Sequence, residues 1–346
     1  MGSIARVIAQ GDSAAMLSVQ HLVVEFKVAR GRKLRAVSDV SFDIRKGETL
    51  GLLGESGCGK STVARALIQL PRPVGGAVVF EGSNLASLTS GRLRAMRSKI
   101  QLIYQDPISS LNPLRRARSL VLEGLMLSGS RPRRRDRSAM AATLLNSVGL
   151  NYDQLKDRRP FELSGGQCQR ISIARAIAMR PELLICDEPV SSLDVLVQAQ
   201  ILNLLEDLKK EFGLTMLFIA HNLGVVRAIS DRIAVMYLGK IVEIGPAESV
   251  YDRPMHPYTR GLLDAVPQLD GGQSDGRGGV VGEMPSPLDP PSGCRFRTRC
   301  QFATQLCAEV EPEMRELRPG QLVACHHPLN VDASDGDARK ELVDAG

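Results

Sequence analysis

The feature that most constrains the fold is an eight-residue glycine-rich stretch, Gly54-Glu-Ser-Gly-Cys-Gly-Lys-Ser61. It follows an apolar run at residues 49–53 and precedes an amphipathic one at residues 61–70, which predicts a turn from a buried strand into a helix. Its glycines allow a tight turn that points successive N–H groups inward, at the positive end of the helix. A chance glycine-rich turn rarely has this pattern in this setting. We therefore interpret the stretch as a phosphate-binding loop.

Two residues of the loop have expected roles in holding a nucleotide. In such loops the lysine reaches the β- and γ-phosphates and the serine hydroxyl binds the accompanying Mg²⁺, positions that Lys60 and Ser61 occupy. The residues expected to contact the nucleotide are Gly54, Glu55, Ser56, Gly57, Cys58, Gly59, Lys60, Ser61 and Thr62. By itself the loop predicts only that a nucleotide binds.

Composition narrows the classes of protein that remain. The 346 residues are 43% hydrophobic, which suffices for one large domain and a smaller one. The net charge of +6 is partly due to an arginine-rich run at 131–137, but aromatic residues are only 4% and no stacking motif accompanies the run, so no nucleic acid partner is expected.

No apolar segment approaches the ~18 residues that cross a bilayer, and no secretory signal is apparent. We expect a cytosolic chain with reduced thiols.

The order of predicted elements indicates an α/β fold. Strands alternate with helices on both sides of residues 116–180, where the spacing is helical and no strand is convincing. This pattern predicts a mainly parallel core sheet, an antiparallel β part at the N-terminus and an inserted helical subdomain. Ligands bind at the carboxyl ends of the strands in such folds.

Four polar residues directly follow predicted strands and are expected to gather around one nucleotide: Gln105, Asp187, Glu188 and His221. Asp187 can hold Mg²⁺ through its water shell, as an acidic partner of the loop serine. Glu188 is then the natural base for the water that attacks the γ-phosphate. An Asp-Glu pair after a strand also commonly caps a helix. Together with the phosphate loop, however, the catalytic interpretation is favoured.

A second anion site is predicted at Leu163-Ser-Gly-Gly-Gln167, which opens a predicted helix. Its serine and glycines offer a hydroxyl and bare backbone N–H groups at a helix N-terminus. One chain thus carries two predicted phosphate-binding sites, at 54–61 and at 163–167. The two sites need not bind the same nucleotide within one molecule.

These motifs, with Ser191-Ser-Leu-Asp194, resemble in order and spacing the nucleotide-binding subunit of ATP-binding cassette (ABC) transporters. The resemblance covers residues 17–266, with the helical subdomain at about 106–181. It implies that two such domains pack head to tail, with ATP and Mg²⁺ between the phosphate loop of one and the LSGGQ of the other.

The resemblance also implies roles for individual residues. Phe26 would stack on adenine, Gln105 would sense the γ-phosphate and its Mg²⁺, and His221 would fix the γ-phosphate. Asp194 would couple the two sites. The residues implied to bind the partner's nucleotide are Ser164, Gly165, Gly166 and Gln167. The family often has arginine where Cys168 stands, so no role is assigned to that residue.

Three further stretches, at 104–113, 234–243 and 256–260, resemble the ATPases of dipeptide and oligopeptide importers. This resemblance implies a second related ATPase, two membrane permease subunits, an extracytoplasmic substrate-binding protein and a peripheral location on the cytoplasmic membrane face. Importers of nickel, glutathione and antimicrobial peptides share the pattern, so the cargo stays open. A soluble ABC ATPase is one rival function. A phosphate-loop kinase is another, although LSGGQ has no role in a kinase.

The C-terminal part is expected to form a linker at 267–292, a small cysteine-rich module at 293–329 and a tail at 330–346. Its four cysteines, Cys294, Cys300, Cys307 and Cys325, are separated by five, six and seventeen residues. Structural zinc usually shows closer pairs, whereas a larger cluster tolerates wider spacing. With the family resemblance, this favours a [4Fe–4S] cluster distant from hydrolysis, in a segment where a metal replaces an apolar core. Zinc and free thiols stay open as alternatives.

Overall fold

The computed structural model describes residues 15–28, 31–127, 132–265, 280 and 282–331. The predicted lead-in before residue 15, most of the predicted linker and the tail after residue 331 lie outside these residues. The described residues divide into two compact units. The first unit comprises those within 1–43, 50–82 and 221–346, and the second comprises those within 44–49 and 83–220.

The strands, in chain order, are β1 (Ala15–Lys27), β2 (Lys33–Arg45), β3 (Thr49–Leu53), β4 (Gly75–Phe80), β5 (Ser83–Asn84), β6 (Ile100–Ile103), β7 (Leu183–Asp187), β8 (Thr215–Ala220), β9 (Arg232–Tyr237), β10 (Lys240–Pro246), β11 (Arg315–Arg318) and β12 (Gln321–Val323). The helices are α1 (Lys60–Leu67), α2 (Ser90–Lys99), α3 (Ala117–Leu120), α4 (Glu123–Leu127), α5 (Arg137–Ser147), α6 (Tyr152–Leu155), α7 (Gly165–Ile177), α8 (Val195–Phe212), α9 (Leu223–Ile229), α10 (Ala247–Asp252), α11 (Pro257–Asp264) and α12 (Gln305–Glu309). Short 3₁₀ helices lie at Leu85–Ser87, Pro160–Glu162 and Arg297–Arg299.

The first unit contains a sheet in which β1 lies between β2 and β4 and runs antiparallel to β4. Leu17 of β1 pairs with Phe80 of β4, and both side chains are fully buried. Alternating burial along β1 is what the sequence pattern predicts for a strand with one face on a core. The predicted N-terminal antiparallel part is therefore present.

The first unit also contains strands in the order β11-β12-β10-β9-β3. β3 is buried along its whole length and runs parallel to β9, with Leu52 opposite Ala234. β9 and β10 are antiparallel because only Leu238 and Gly239 separate them, and both have positive φ, as a tight hairpin turn requires. β12 pairs antiparallel with both β10 and β11. The prediction of a mainly parallel sheet is therefore wrong for this end of the first unit.

In the second unit, β6, β7 and β8 are mutually parallel, in the order β8-β7-β6. Ile103 lies opposite Cys186, and Asp187 lies opposite Ile219. Helices α3 to α7 follow β6, and no strand occurs among the described residues between β6 and β7. α7 is buried on most of its surface and contacts α3, α4 and α5, which makes it the central helix of this part.

The C-terminal residues of the first unit pack on β10. Ile244 of β10 pairs with Leu322 of β12, and four buried side chains form a small apolar cluster: Met255, Leu317, Val323 and Cys325. Three of these side chains come from the C-terminal segment and share the cluster with Met255, which lies outside it. They are spread over sequence without a regular period, so the cluster leaves no pattern from which it could be predicted.

Candidate nucleotide-binding site

The glycine-rich stretch forms the turn between β3 and α1 in the first unit. Gly59 lies at the N-terminus of α1 with φ of 111°, and a Cβ at this position would lie 2.4 Å from the Ala36 carbonyl oxygen. Only glycine fits there without strain. The Gly59 carbonyl accepts the first helical hydrogen bond, from Val63 N–H at 3.0 Å. The loop therefore has the tight turn into a helix that phosphate binding requires.

The ammonium group of Lys60 is buried inside this loop. It donates to the Gly54 carbonyl at 2.7 Å and to the Glu55 carbonyl at 2.9 Å. Lys60 is only 4% exposed although it begins a helix. The loop thus curls around its own lysine and concentrates positive charge where phosphates are expected.

The thiol of Cys58 faces the core beneath the loop. It is buried, and burial raises its pKa to about 11, although the charge of Lys60 acts in the opposite direction. Its backbone carbonyl accepts a hydrogen bond from Gly239 N–H at 2.8 Å. Cys58 therefore contributes packing and backbone anchoring, and its thiol stays protonated near neutral pH.

Glu55 connects the loop to the C-terminal part of the first unit. Its N–H donates to the Tyr258 hydroxyl at 2.9 Å, and its carboxylate accepts two hydrogen bonds from Arg299, at 2.7 and 2.9 Å. A residue of the cysteine-rich segment thus contacts the predicted phosphate loop, because Arg299 lies between the first two cysteines of that segment. In the sequence, Tyr258 belongs to the stretch at 256–260 and Arg299 to the cysteine-rich segment. Neither pattern indicates a contact with the phosphate loop, which is why neither residue was predicted.

In the second unit, the structure brings Gln105 and Glu188 together. The Gln105 side-chain amide donates to a Glu188 carboxylate oxygen at 3.1 Å. The reason is the parallel register of β6 and β7: Ile103 lies opposite Cys186, so the residues two positions further along each strand also meet. Two strand-end residues predicted to share a site are therefore in direct contact.

The backbone at Glu188 is strained. Its φ of 48° is rare for a side chain of this kind, and its N–H donates to the Ile219 carbonyl at 3.0 Å. The side chain is 8% exposed, and the Glu188 carbonyl accepts a hydrogen bond from the Ser191 hydroxyl at 3.1 Å. Strained residues that the surrounding hydrogen bonds hold in place often occur at active sites. Asp187, the last residue of β7, is 1% exposed.

The LSGGQ stretch forms the N-terminus of α7. The Ser164 hydroxyl accepts from Gln167 N–H at 3.2 Å, and the Gln167 side chain accepts from Ser164 N–H at 3.0 Å. This reciprocal pair is a capping box, which the spacing of Ser164 and Gln167 alone could have predicted. A Cβ on Gly166 would lie 2.8 Å from Val197, so glycine allows α8 to approach closely.

Arg175 of α7 ties the segment after Gln105 to this helix. Its guanidinium donates to the Ser110 carbonyl at 2.8 Å and lies 3.6 Å from the Glu123 carboxylate. The Ser110 and Ser172 hydroxyls are 3.3 Å apart. Sequence reasoning missed Arg175, because an arginine in a helix carries no distinguishing signal.

The remaining predicted site residues occupy positions compatible with their roles but stay predictions. Phe26, near the end of β1, is 36% exposed. His221 is exposed directly after β8, and Ser61 and Thr62 lie in the first turn of α1. Asp194 caps α8, since its carboxylate accepts from Val197 N–H at 3.0 Å.

The four C-terminal cysteines lie in one neighbourhood. Cys294 N–H donates to the Cys307 carbonyl at 2.8 Å. Burial raises the pKa of Cys325 to about 12, and the charges of the other three cysteines add to that rise. Among the described residues, no group of three or more His, Cys, Asp or Glu side chains is arranged to hold a single metal ion.

Comparison with known families and proteins matches two regions of the chain. Residues 37–191 match the family described as ABC transporter, and residues 242–307 match the family described as oligopeptide/dipeptide transporter, C-terminal region. The oligopeptide transport ATP-binding protein AppF of Bacillus subtilis is 49% identical over 296 residues, which cover 85% of this chain and 89% of AppF.

Solved structures are similar to about two thirds of the chain. The ATP-binding cassette MJ0796, solved as a dimer in a post-hydrolysis state bound to ADP and Pi, has a TM-score of 0.62 and 28% identity. The similarity covers 67% of this chain and 99% of MJ0796. The protein cbiO1 of Clostridium perfringens, part of the ABC transporter complex cbiONQ, has a TM-score of 0.60 and 25% identity over 70% of this chain and 92% of cbiO1.

Proposed function

The chain belongs to the ATP-binding subunits of ABC transporters, and from this premise we propose that it hydrolyses ATP to power the import of peptides. The observation that carries the proposal is Glu188: a carboxylate at the end of a buried parallel strand, held by Gln105, in a chain that also has a folded phosphate loop. A buried carboxylate in that position is suited to orient a water molecule and to accept its proton.

Each unit, taken by itself, carries residues of the kinds that hydrolysis needs. Lys60 and the N–H groups at the start of α1 would bind the β- and γ-phosphates. Ser61 and Asp187 offer a hydroxyl and a carboxylate, hard oxygen ligands of the kind that Mg²⁺ takes, and Mg²⁺ would offset the charge that develops on the phosphates. Gln105 fixes the Glu188 carboxylate through its amide. Glu188 would orient the attacking water and accept its proton.

Peptides are proposed as the cargo because of the relatives and the C-terminal match. AppF is named for oligopeptide transport, and the family that matches residues 242–307 is named for oligopeptide and dipeptide transporters. Two of the stretches that resemble peptide-importer ATPases are joined here: the buried Glu243 carboxylate accepts from Met255 N–H and His256 N–H at 2.8 and 2.9 Å. Nickel or glutathione import is the alternative use of the same subunit.

The proposed partners are two permease subunits, a second related ATPase and, indirectly, an extracytoplasmic substrate-binding protein. No helix within the described part of the chain is both long and apolar enough to cross a membrane. The second unit exposes apolar side chains after Gln105 and before LSGGQ, including Leu114 at 77% and Phe161 at 70%. Such side chains suit docking onto permeases at the cytoplasmic membrane face.

A second ATPase is proposed because Ser164 is exposed at a capped helix N-terminus, where it can meet a nucleotide on another subunit. MJ0796, similar in fold, was solved as a dimer. We propose the head-to-tail arrangement, with Asp194 near the junction.

The four cysteines are proposed to hold a [4Fe–4S] cluster. Cys294 N–H donates to the Cys307 carbonyl, so at least two of the four residues lie side by side, and a cluster spans wider distances than one metal ion. Anaerobically purified protein is expected to be brown, with about four irons per chain. Colourless protein with one zinc, or without metal, would reject the cluster and leave the ATPase proposal intact.

Co-purification tests the transport proposal. A tagged form of this chain, expressed in its own cells and extracted in mild detergent, is expected to bring down two polytopic membrane proteins. A variant with Leu114 and Phe161 changed to serine is expected to lose them while still binding ATP. Recovery of the wild-type chain alone, or with soluble proteins only, would favour a soluble ABC ATPase.

A further inference from the structure

We propose that Arg299 is a positioning residue for ATP binding, which acts by fixing Glu55 and thereby holding the phosphate loop in the shape that places Lys60. The proposal rests on the assignment of residues 54–61 as the nucleotide-binding loop. It concerns a residue outside that loop, 244 positions later in the sequence.

The contact between Arg299 and Glu55 has the geometry of a strong ion pair. Both guanidinium nitrogens reach the carboxylate, at 2.7 and 2.9 Å, one on each oxygen. The Arg299 side chain is 5% exposed and that of Glu55 is 27% exposed, so water and salt screen the pair less than a surface pair. Paired hydrogen bonds of this kind fix direction as well as distance.

Arg299 is itself held rigidly. Its guanidinium lies 5.8 Å from the centre of the Tyr237 ring. Phe296, three residues earlier, packs edge to face against Tyr237 at 5.2 Å and lies 5.3 Å from the Tyr258 ring. Arg295 donates to the Leu238 carbonyl in the β9–β10 turn. The short helix that carries Arg299 is therefore fixed to the strands beside the loop.

Glu55 is fixed at three separate groups. Its N–H donates to the Tyr258 hydroxyl, its carboxylate pairs with Arg299, and its carbonyl accepts from the Lys60 ammonium. If Glu55 moved, its carbonyl would move too, and this carbonyl accepts a hydrogen bond from Lys60, the lysine expected to contact the phosphates. A displacement of about 1 Å can have a large effect on what a positioned side chain such as Lys60 contributes. The Arg299–Glu55 pair therefore matters for nucleotide binding as well as for stability.

Equilibrium binding of the fluorescent nucleotide mant-ATP to the purified full-length chain tests the proposal. Arg299→Ala is expected to raise the Kd about tenfold, which corresponds to about 1.4 kcal/mol. Glu55→Ala is expected to have a similar effect, and the double variant is expected to add little, since both changes remove one contact. The matched control is Arg297→Ala, because Arg297 lies in the same short helix and its guanidinium donates to Ser292, five residues earlier in the same segment.

A purely structural role predicts a different pattern. Arg299→Ala would then lower the thermal midpoint but leave the Kd within twofold of wild type at temperatures below unfolding, which would overturn the proposal. The proposal would also be overturned if the effects of Arg299→Ala and Glu55→Ala on the Kd added fully in the double variant. If Arg299→Ala does not fold, Glu55→Gln tests the same contact from the loop side, and an unchanged Kd for that variant counts against the proposal. Wild-type ATP hydrolysis is measured in parallel, so that a failure here is distinct from a failure of the ATPase assignment.

Discussion

Glu188 and Lys60 are expected to act at different stages of the same reaction. Glu188 is buried and strained, with Gln105 on its carboxylate, whereas Lys60 is enclosed by carbonyls of its own loop. A base acts as the bond to the γ-phosphate breaks, whereas a lysine in the loop already contacts the phosphates of bound ATP. The two residues can therefore be separated by measuring binding and turnover independently.

Glu188→Gln is expected to leave ATP binding within about twofold of wild type and to slow hydrolysis by about a hundredfold or more, because the amide cannot accept a proton. Gln keeps the size of the side chain and its hydrogen bond to Gln105, so folding is preserved. The measurement is steady-state phosphate release beside the Kd for mant-ATP. Turnover within a few-fold of wild type would remove Glu188 from the role of base.

Lys60→Ala is the counterpart variant and is expected to raise the Kd for ATP, since its charge contacts the phosphates before reaction. Arg175→Ala is a useful comparison, because it changes a half-buried arginine that is not expected to touch nucleotide. Unchanged binding by Lys60→Ala would show that the loop holds phosphate through its backbone alone.

At the scale of elements, α1 and α7 each present an N-terminus with a phosphate-binding pattern. They belong to different units of the chain, and the α7 terminus carries a capping box at Ser164 and Gln167. Two such termini are expected when a nucleotide lies between subunits. The head-to-tail proposal therefore predicts that damage to α7 appears in the partner's site.

Ser164→Arg tests this in the assembled transporter, where it is expected to reduce photolabelling of the partner ATPase by 8-azido-ATP, because the larger side chain blocks the space next to the partner's phosphates. Labelling of this chain should persist. Lys60→Ala in the same assembly is expected to give the opposite pattern. Reduced labelling of this chain alone by Ser164→Arg would contradict the head-to-tail arrangement.

Much of the fold follows from local patterns in the sequence. Three elements are determined by interactions between residues close in the sequence. They are the turn with the glycine pattern around Gly59, the buried strand that ends at Asp187 and the amphipathic helix α8. The pairing of Gln105 with Glu188 needed only parallel strands in register. By contrast, α9 and α10 were missed because they are short, with 7 and 6 residues.

The contacts that escaped prediction join distant parts of the sequence. Arg299 meets Glu55 across 244 positions, and Gln321 reaches the Glu243 carboxylate across 78. Neither contact leaves a periodic signal, because each depends on how separate elements pack. The cysteine spacing, similarly, suggested a metal site but gave no sign that Arg299 reaches the phosphate loop.

At the scale of the whole molecule, the chain combines a nucleotide-binding part with a C-terminal segment that packs on β10 and contacts the phosphate loop within the first unit. Buried Glu243 and His256 organise that segment. Burial lowers the pKa of His256 to about 3, so it stays neutral and its ring nitrogen accepts from Tyr258 N–H at 3.0 Å. The peptide-importer stretch at 256–260 thus also supplies Tyr258, whose hydroxyl accepts a hydrogen bond from Glu55 N–H in the phosphate loop.

The central claim is that ATP hydrolysis by this chain powers peptide import, and uptake of a radiolabelled oligopeptide tests it most directly. Cells lacking the chain are complemented with the wild type, with Glu188→Gln, or with Arg297→Ala as the matched control. We predict that the wild type and Arg297→Ala restore uptake and that Glu188→Gln does not, although it is present in equal amount at the membrane. Equal peptide uptake with and without the wild-type chain, while uptake of nickel or glutathione depends on it, would contradict the claim.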